Sequence, residues 1–158
     1  MATPHDATAI AEIYNAHVDR RDCTMDLDHW AGEAVAERIR DSHVREAWLT
    51  AAEGDAVQGW AVVRPYSDRR GYRTTCEISL YIRPERTSCG IGQALFDQLV
   101  GRACQLDYHL AISRIFAAND GSIRFHRRNG FTIAGTLHEA GYIDGKWIDV
   151  VIMERVLG

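Results

Sequence analysis

One stretch constrains this chain more than any other. Glu77-Ile78-Ser79-Leu80-Tyr81-Ile82 alternates as a strand does, and Arg83-Pro84 ends it. Glu85 to Cys89 make a short loop, and Gly90-Ile91-Gly92 opens a helix. That helix is long: Ile91, Ala94, Leu95, Leu99, Ala103 and Leu106 form an apolar stripe over Gly90 to Leu106. A helix start carries unpaired N–H groups and a partial positive charge, and glycine lets a phosphate approach the backbone closely. The stretch therefore suits a diphosphate. It equally suits a tight strand-to-helix turn with no ligand, and spacing alone leaves both readings open. A phosphate-loop kinase needs Gly-Lys-Ser/Thr where this chain has Gly92-Gln93-Ala94. A dinucleotide fold needs a third glycine near the point where Phe96 and Asp97 stand.

The other segments fall into order around this unit. Asp6 is placed to cap a helix carrying Ile10, Ile13, Tyr14 and His17 at helical spacing. A second helix is expected from Leu27 to Arg40 with Asp26 as its cap. Trp48 to Ala52, the Gly54-Asp55 turn and Val57 to Val63 read as a hairpin, Arg64 to Arg73 as a polar loop, and Thr74 to Ile82 as a strand. After the long helix come a strand over His109 to Phe116 and a short helix over Ser122 to Asn129 stopped by Gly130. Two final strands, Phe131 to Leu137 and Trp147 to Val156, flank a turn at Gly141 and Gly145. Helices, an antiparallel meander, then strand–helix–strand–helix–strand–strand predict a mixed α/β sheet covered by helices on both faces. With 158 residues and no linker or repeat, residues 1–158 are expected to form one domain.

Composition narrows the partners. A formal net charge of −4 argues against nucleic acid, which selects a basic face, although Arg69, Arg70 and Arg73 form a local basic cluster. Cys23, Cys76, Cys89 and Cys104 include no C-x-x-C pair, so neither a zinc site nor a disulfide oxidoreductase is indicated. Four reduced thiols are expected, three of them core fillers. The start, Met1-Ala2-Thr3-Pro4-His5-Asp6, lacks a secretory pattern, and no apolar run has the length of a membrane span. A cytoplasmic location with no metal and no membrane partner is the expectation.

The second half carries a further motif. Asn119-Asp120-Gly121-Ser122 precedes the short helix with Phe125 and His126, and Gly130-Phe131 follow. Together with the glycine loop, these residues resemble the GNAT N-acetyltransferase superfamily. Ile13-Tyr14-Asn15-Ala16-His17-Val18, Gly71-Tyr72-Arg73-Thr74-Thr75-Cys76-Glu77, Phe125-His126 and Ala140 to Val150 look like its phosphinothricin/methionine sulfoximine acetyltransferase group, so the resemblance spans nearly the whole chain. It implies the GNAT fold, acetyl-CoA as co-substrate, and transfer of acetyl to the primary amine of a small amino-acid-like acceptor by direct attack in a ternary complex. Small members of the family are commonly dimers, which implies a homodimer here.

The resemblance also assigns residues. Glu77 is implied as general base and His126 as the partner in proton exchange. Backbone groups of Leu80 and Ile82 are implied to pair with the pantetheine arm, and Tyr81 between them is an implied cofactor contact. Thr87, Ser88, Cys89, Gly90, Ile91, Gly92 and Gln93 are implied to take the diphosphate, with Asn119 and Ser122 on the other side. Tyr72, Arg73 and Trp147 are implied acceptor contacts, since arginine offers a bidentate fork to an acid group. His17 is a weaker candidate for the pocket lining. Cys89 has no evident base beside it, which argues against a covalent acetyl-enzyme. Two features depart from the family pattern. Thr87, Ser88 and Cys89 stand where it usually has basic or amide side chains, with Arg86 displaced by one position, and family members begin with a strand before the first helix. The altered loop is the feature that would favour a catalytically silent acyl-CoA sensor. A protein or peptide N-acetyltransferase is the third reading.

Overall fold

The computed structural model describes residues Met1–Gly158. Its elements are α1 (Ala7–Arg20), α2 (Gly32–Arg40), β1 (Ala47–Glu53), β2 (Ala56–Pro65), β3 (Thr75–Ile82), α3 (Ile91–Gln105), β4 (Leu110–Phe116), α4 (Asp120–Arg128), β5 (Thr132–Ile143) and β6 (Lys146–Val156). The six strands form one sheet in the order β1-β2-β3-β4-β6-β5, the mixed α/β architecture expected. Only β3 and β4 run parallel, and α3 is the crossover between them.

Alternation in β2 sorts the core. Ala61 and Val63 point into a cluster with Leu95, Phe96 and Leu99 of α3. Trp60 and Val62 point the other way, into a cluster with Ile10, Ile13, Tyr14 and Val18 of α1 and Val35 of α2. Helices therefore cover both faces.

Several expected boundaries move, for local reasons. Asp6 does not cap α1 with its side chain: Oδ2 accepts instead from Thr3 N–H at 2.7 Å and closes a 3₁₀ turn over Pro4–Asp6. The second helix begins at Gly32 rather than Leu27, because Asp26 turns inward and accepts from Tyr14 Oη and Trp30 Nε1 at 2.7 and 2.9 Å. Arg64 and Pro65 extend β2, and Gly141 lies inside β5, which runs on to Ile143 before Asp144 and Gly145 turn the chain. No strand precedes α1; one backbone bond, Ala2 N–H to Trp48 O at 2.8 Å, ties the start to β1. All four cysteines are free, but only Cys76 is buried; Cys89 and Cys104 are exposed and Cys23 is half-buried, so three core fillers become one. No helix is long and apolar enough to cross a membrane.

Candidate active site

The site begins where the sheet opens. β3 and β4 pair only from Thr75 to Glu77 against Leu110 to Ile112 and then part. Along β3, odd-numbered residues turn their backbone groups to β2. Tyr66 N–H donates to Thr75 O at 3.1 Å, and Arg83 N–H donates to Gln58 O at 2.9 Å. The register between these bonds is unbroken, so the groups of Ile78, Leu80 and Ile82 face the gap that β4 has left. The Ile82 carbonyl there accepts from His17 Nε2 at 2.8 Å.

The gap widens into a cavity of about 630 Å³. Leu80, Tyr81, Ile82, Thr87, Ser88, Gly90, Gly92, Gln93, Asn119, Ser122 and His126 all line it, while Cys89 and Ile91 do not. At its floor α3 starts at Gly90, in the left-handed region with φ 82°, and no side chain caps the first N–H groups. Ser88 is also left-handed at φ 66°. A Cβ on Gly92 would stand 3.8–3.9 Å from Leu80, Ile82 and Phe125, filling the mouth of the gap. The floor therefore offers free N–H donors and open space to an anionic, extended ligand. The side-chain charge that Thr87, Ser88 and Cys89 lack is supplied by Arg86, paired with Glu53, and by Arg128, both of which line the cavity. Asn119 faces it too, and its Oδ1 caps α4 by accepting from Ser122 N–H at 3.0 Å. A Cβ at position 90 meets nothing within 4 Å, so Gly90→Ala adds backbone strain alone. It is expected to cost about 1 kcal/mol, read as a lower thermal midpoint.

His126 is 6% exposed and packs edge-on against Phe96, Phe125 and Phe131. Its Nδ1–H donates to Ser122 O at 2.8 Å, which leaves Nε2 as an acceptor. Burial lowers its pKa, against a smaller upward pull from the Ser122 carbonyl. The ring is thus held neutral. As pH falls through the ordinary histidine value of about 6.5, the unfolded chain takes up a proton that the folded chain refuses, so stability drops. Urea midpoints at pH 7.5 and pH 5 are expected to show this loss, and His126→Gln is expected to flatten it.

A second cavity, about 960 Å³, lies on the α1/α2 face. Tyr14, Trp30, Trp48, Trp60 and Tyr81 form its aromatic wall, with Tyr14 and Trp30 stacked at 3.8 Å. Asp26, Glu37 and Arg38 reach it from the α1–α2 connection and α2. Glu77 also lines it, with its side chain 12% exposed. Its carboxylate accepts from Arg64 Nη2 at 3.2 Å and from Arg114 at 2.7 and 2.8 Å. The two cavities meet: Cys23, Ser79, Tyr81, Arg114 and Phe116 line both.

The structure does not bring Tyr72, Arg73 or Trp147 to either cavity. Tyr72 is exposed and packs on Tyr66, and the Arg73 carbonyl accepts from Arg45. Trp147 is 61% exposed beside Tyr142 on the β5–β6 ribbon. Arg114, Arg128 and Cys23 are lining residues that the sequence reading did not find. Arg114 had a visible cue, a lone cation inside the apolar run Leu110 to Phe116, whereas Cys23 sits in polar sequence with none. Burial pushes the Cys23 thiol well above its ordinary range, with the Asp22 carboxylate adding to the shift, so it is not a thiolate at neutral pH.

Comparison with known proteins agrees with this geometry. Residues 1–152 match the family model described as an acetyltransferase (GNAT) domain. The chain is 30% identical over 162 residues to the L-methionine sulfoximine/L-methionine sulfone acetyltransferase of Salmonella typhimurium, covering 99% of this chain and 92% of that protein. Among solved structures, it is similar to a GNAT superfamily phosphinothricin acetyltransferase from Sinorhizobium meliloti in complex with acetyl-CoA. The TM-score is 0.93 at 33% identity, over 99% of this chain and 86% of that one. It is also similar to a ribosomal-protein-alanine N-acetyltransferase from Brucella melitensis, with TM-score 0.91 at 31% identity over 99% and 97% of the two chains.

Proposed function

The chain belongs to the GNAT acetyltransferase family, and from that premise we propose that it acetylates the primary amine of a small amino-acid-like acceptor by direct attack in a ternary complex. It is an acetyl-CoA-dependent N-acetyltransferase. The observation that carries the finer reading is the meeting of two cavities beside Glu77. One is an extended gap in the sheet with helix N–H groups at its floor, and the other is a chamber walled by aromatic rings and carboxylates. A junction of this kind lets an amine and a thioester meet without a covalent relay. The protonated state of Cys23 and the exposed position of Cys89 support the same conclusion.

The bound co-substrate supplies an activated acetyl thioester. The chain's own residues hold and orient it and manage one proton. Backbone groups of Leu80 and Ile82 extend an added-strand pairing to its arm, and the start of α3 takes its diphosphate. Glu77 takes the ammonium proton of the acceptor, directly or through water, which leaves a neutral nucleophilic amine. His126, neutral and with Nε2 unprotonated, walls the donor cavity and accepts a hydrogen bond rather than donating a proton. Phe116 and Tyr81 line the junction from both cavities.

Two resemblances support this acceptor class. The Salmonella relative is named for methionine sulfoximine and sulfone, and the Sinorhizobium structure for phosphinothricin, all of them amino-acid-like. The Brucella structure is named for a protein alanine, which makes a peptide N-terminus the rival acceptor. The test is thiol release from acetyl-CoA with methionine sulfoximine, phosphinothricin, common amino acids and an alanine-terminated peptide. Turnover of the free amino-acid class is the expected result, and turnover of the peptide alone would overturn it. The proposal includes a homodimer and a cytoplasmic location. Tyr142 and Trp147, both exposed and in contact on the β5–β6 ribbon, are the apolar surface that supports a dimer.

A further inference from the structure

Glu77, cast above as the base, is occupied. Arg114 Nε and Nη2 donate to its Oε1 at 3.2 and 2.7 Å, and Nη2 donates also to Oε2 at 2.8 Å. Arg64 Nη2 adds a bond to Oε1 at 3.2 Å. With both oxygens engaged by one guanidinium, an incoming ammonium has to compete with Arg114 for the carboxylate. For the reaction to proceed, one of these arginines must find another partner.

The two arginines are not equivalent. Arg64 lies directly across the β2–β3 ladder from Glu77, so the sheet register itself places it there, and it contributes one bond. Arg114 belongs to the part of β4 that has separated from β3. Its side chain is 55% exposed, lines both cavities and pairs with no carboxylate but Glu77. A guanidinium offers a planar fork that fits the two oxygens of a carboxylate or a phosphinate.

We propose that Arg114 is the anchor for the acid group of the acceptor, and that its transfer from Glu77 to that group is what frees the base. This rests on the acetyl-transfer reading above. When the acid group takes the fork, Arg64 still holds Glu77 in place. The ammonium proton then passes to a Glu77 oxygen, turning the carboxylate into a carboxylic acid and leaving the amine neutral. Selection for acid-bearing amines is therefore made in turnover as well as in binding. An amine without an acid group enters the chamber but leaves the fork closed on the base.

The test compares the best amino-acid acceptor with the amine left when its carboxylate is removed, in the wild type, Arg114→Gln and Arg114→Lys. The wild type is expected to prefer the amino acid by about 100-fold in kcat/KM, with part of the difference in kcat. Arg114→Gln is expected to bring the two acceptors within about threefold, losing rate on the amino acid and gaining rate on the amine. Arg114→Lys keeps the charge without the fork and falls between. A preference that survives in Arg114→Gln, or an equal loss on both acceptors, overturns the proposal. If the wild type releases thiol with no amine at all, it is the acetyl-transfer reading that fails. The anchor is then judged by quenching of tryptophan fluorescence with L-methionine sulfoximine, since Trp30, Trp48 and Trp60 wall the chamber. Binding weakened about tenfold or more in Arg114→Gln supports it. Equal quenching, or none in either protein, overturns it.

Discussion

Glu77→Gln is expected to lower kcat by about 10²- to 10⁴-fold, the range that a positioned general base contributes, while the KM for acetyl-CoA stays within about twofold. The split follows from position. Glu77 is the last β3 residue paired with β4, on the chamber side of the junction, and it does not line the cavity beneath α3. Glutamine keeps the length and one accepting oxygen for Arg64 and Arg114 but cannot take a proton at neutral pH. Steady-state kinetics across pH 6 to 9 check it. A kcat unchanged over that range would remove Glu77 from the chemistry.

Phe96→Ala is expected to destabilise the fold by about 3–5 kcal/mol, the usual cost of removing a fully buried phenylalanine. Phe96 is 1% exposed and sits where α3 meets α4. Its ring contacts Phe125 at 5.5 Å between centroids with the planes perpendicular, and Phe131 at 6.0 Å. Alanine there leaves a cavity between two helices and a strand that cannot all collapse toward it. The urea midpoint should fall with an unchanged slope, and a loss below about 1 kcal/mol would show that α4 relaxes into the space.

The sequence made the sheet and the donor gap readable because both follow from local rules. Alternation predicts β2 and β3, and the stripe from Ile91 to Leu106 predicts α3 to within a residue at each end. Glycine and proline marked the turn at Gly54-Asp55, the end of β3 and the start of α3. Nearly all the residues expected beside the diphosphate and the arm therefore line the gap in the sheet. The acceptor side did not, because its wall is assembled from long-range contacts. Asp26 looked like a helix cap but bonds Tyr14 and Trp30 across the fold. Arg73 looked like an acid-binding fork, yet its segment packs away from the chamber, and the two cations that reach Glu77 come from β2 and from β4, the latter 37 residues beyond Glu77. A motif shows which residue types occur together in sequence. It does not show which of two arginines the packing turns inward.

The parting of β3 from β4 also has a mechanical meaning. The sheet is two leaves, β1-β2-β3 and β4-β6-β5, joined edge to edge by three residue pairs. A ligand lying in the slot would act as a splint between them. Any molecule bound only when the leaves stand at the right angle stabilises that angle by mass action, about 2.7 kcal/mol at a concentration one hundred times its dissociation constant. A ligand in the slot would then set the shape of the aromatic chamber without touching it, because two residues of its far wall, Phe116 and Arg114, hang from the second leaf.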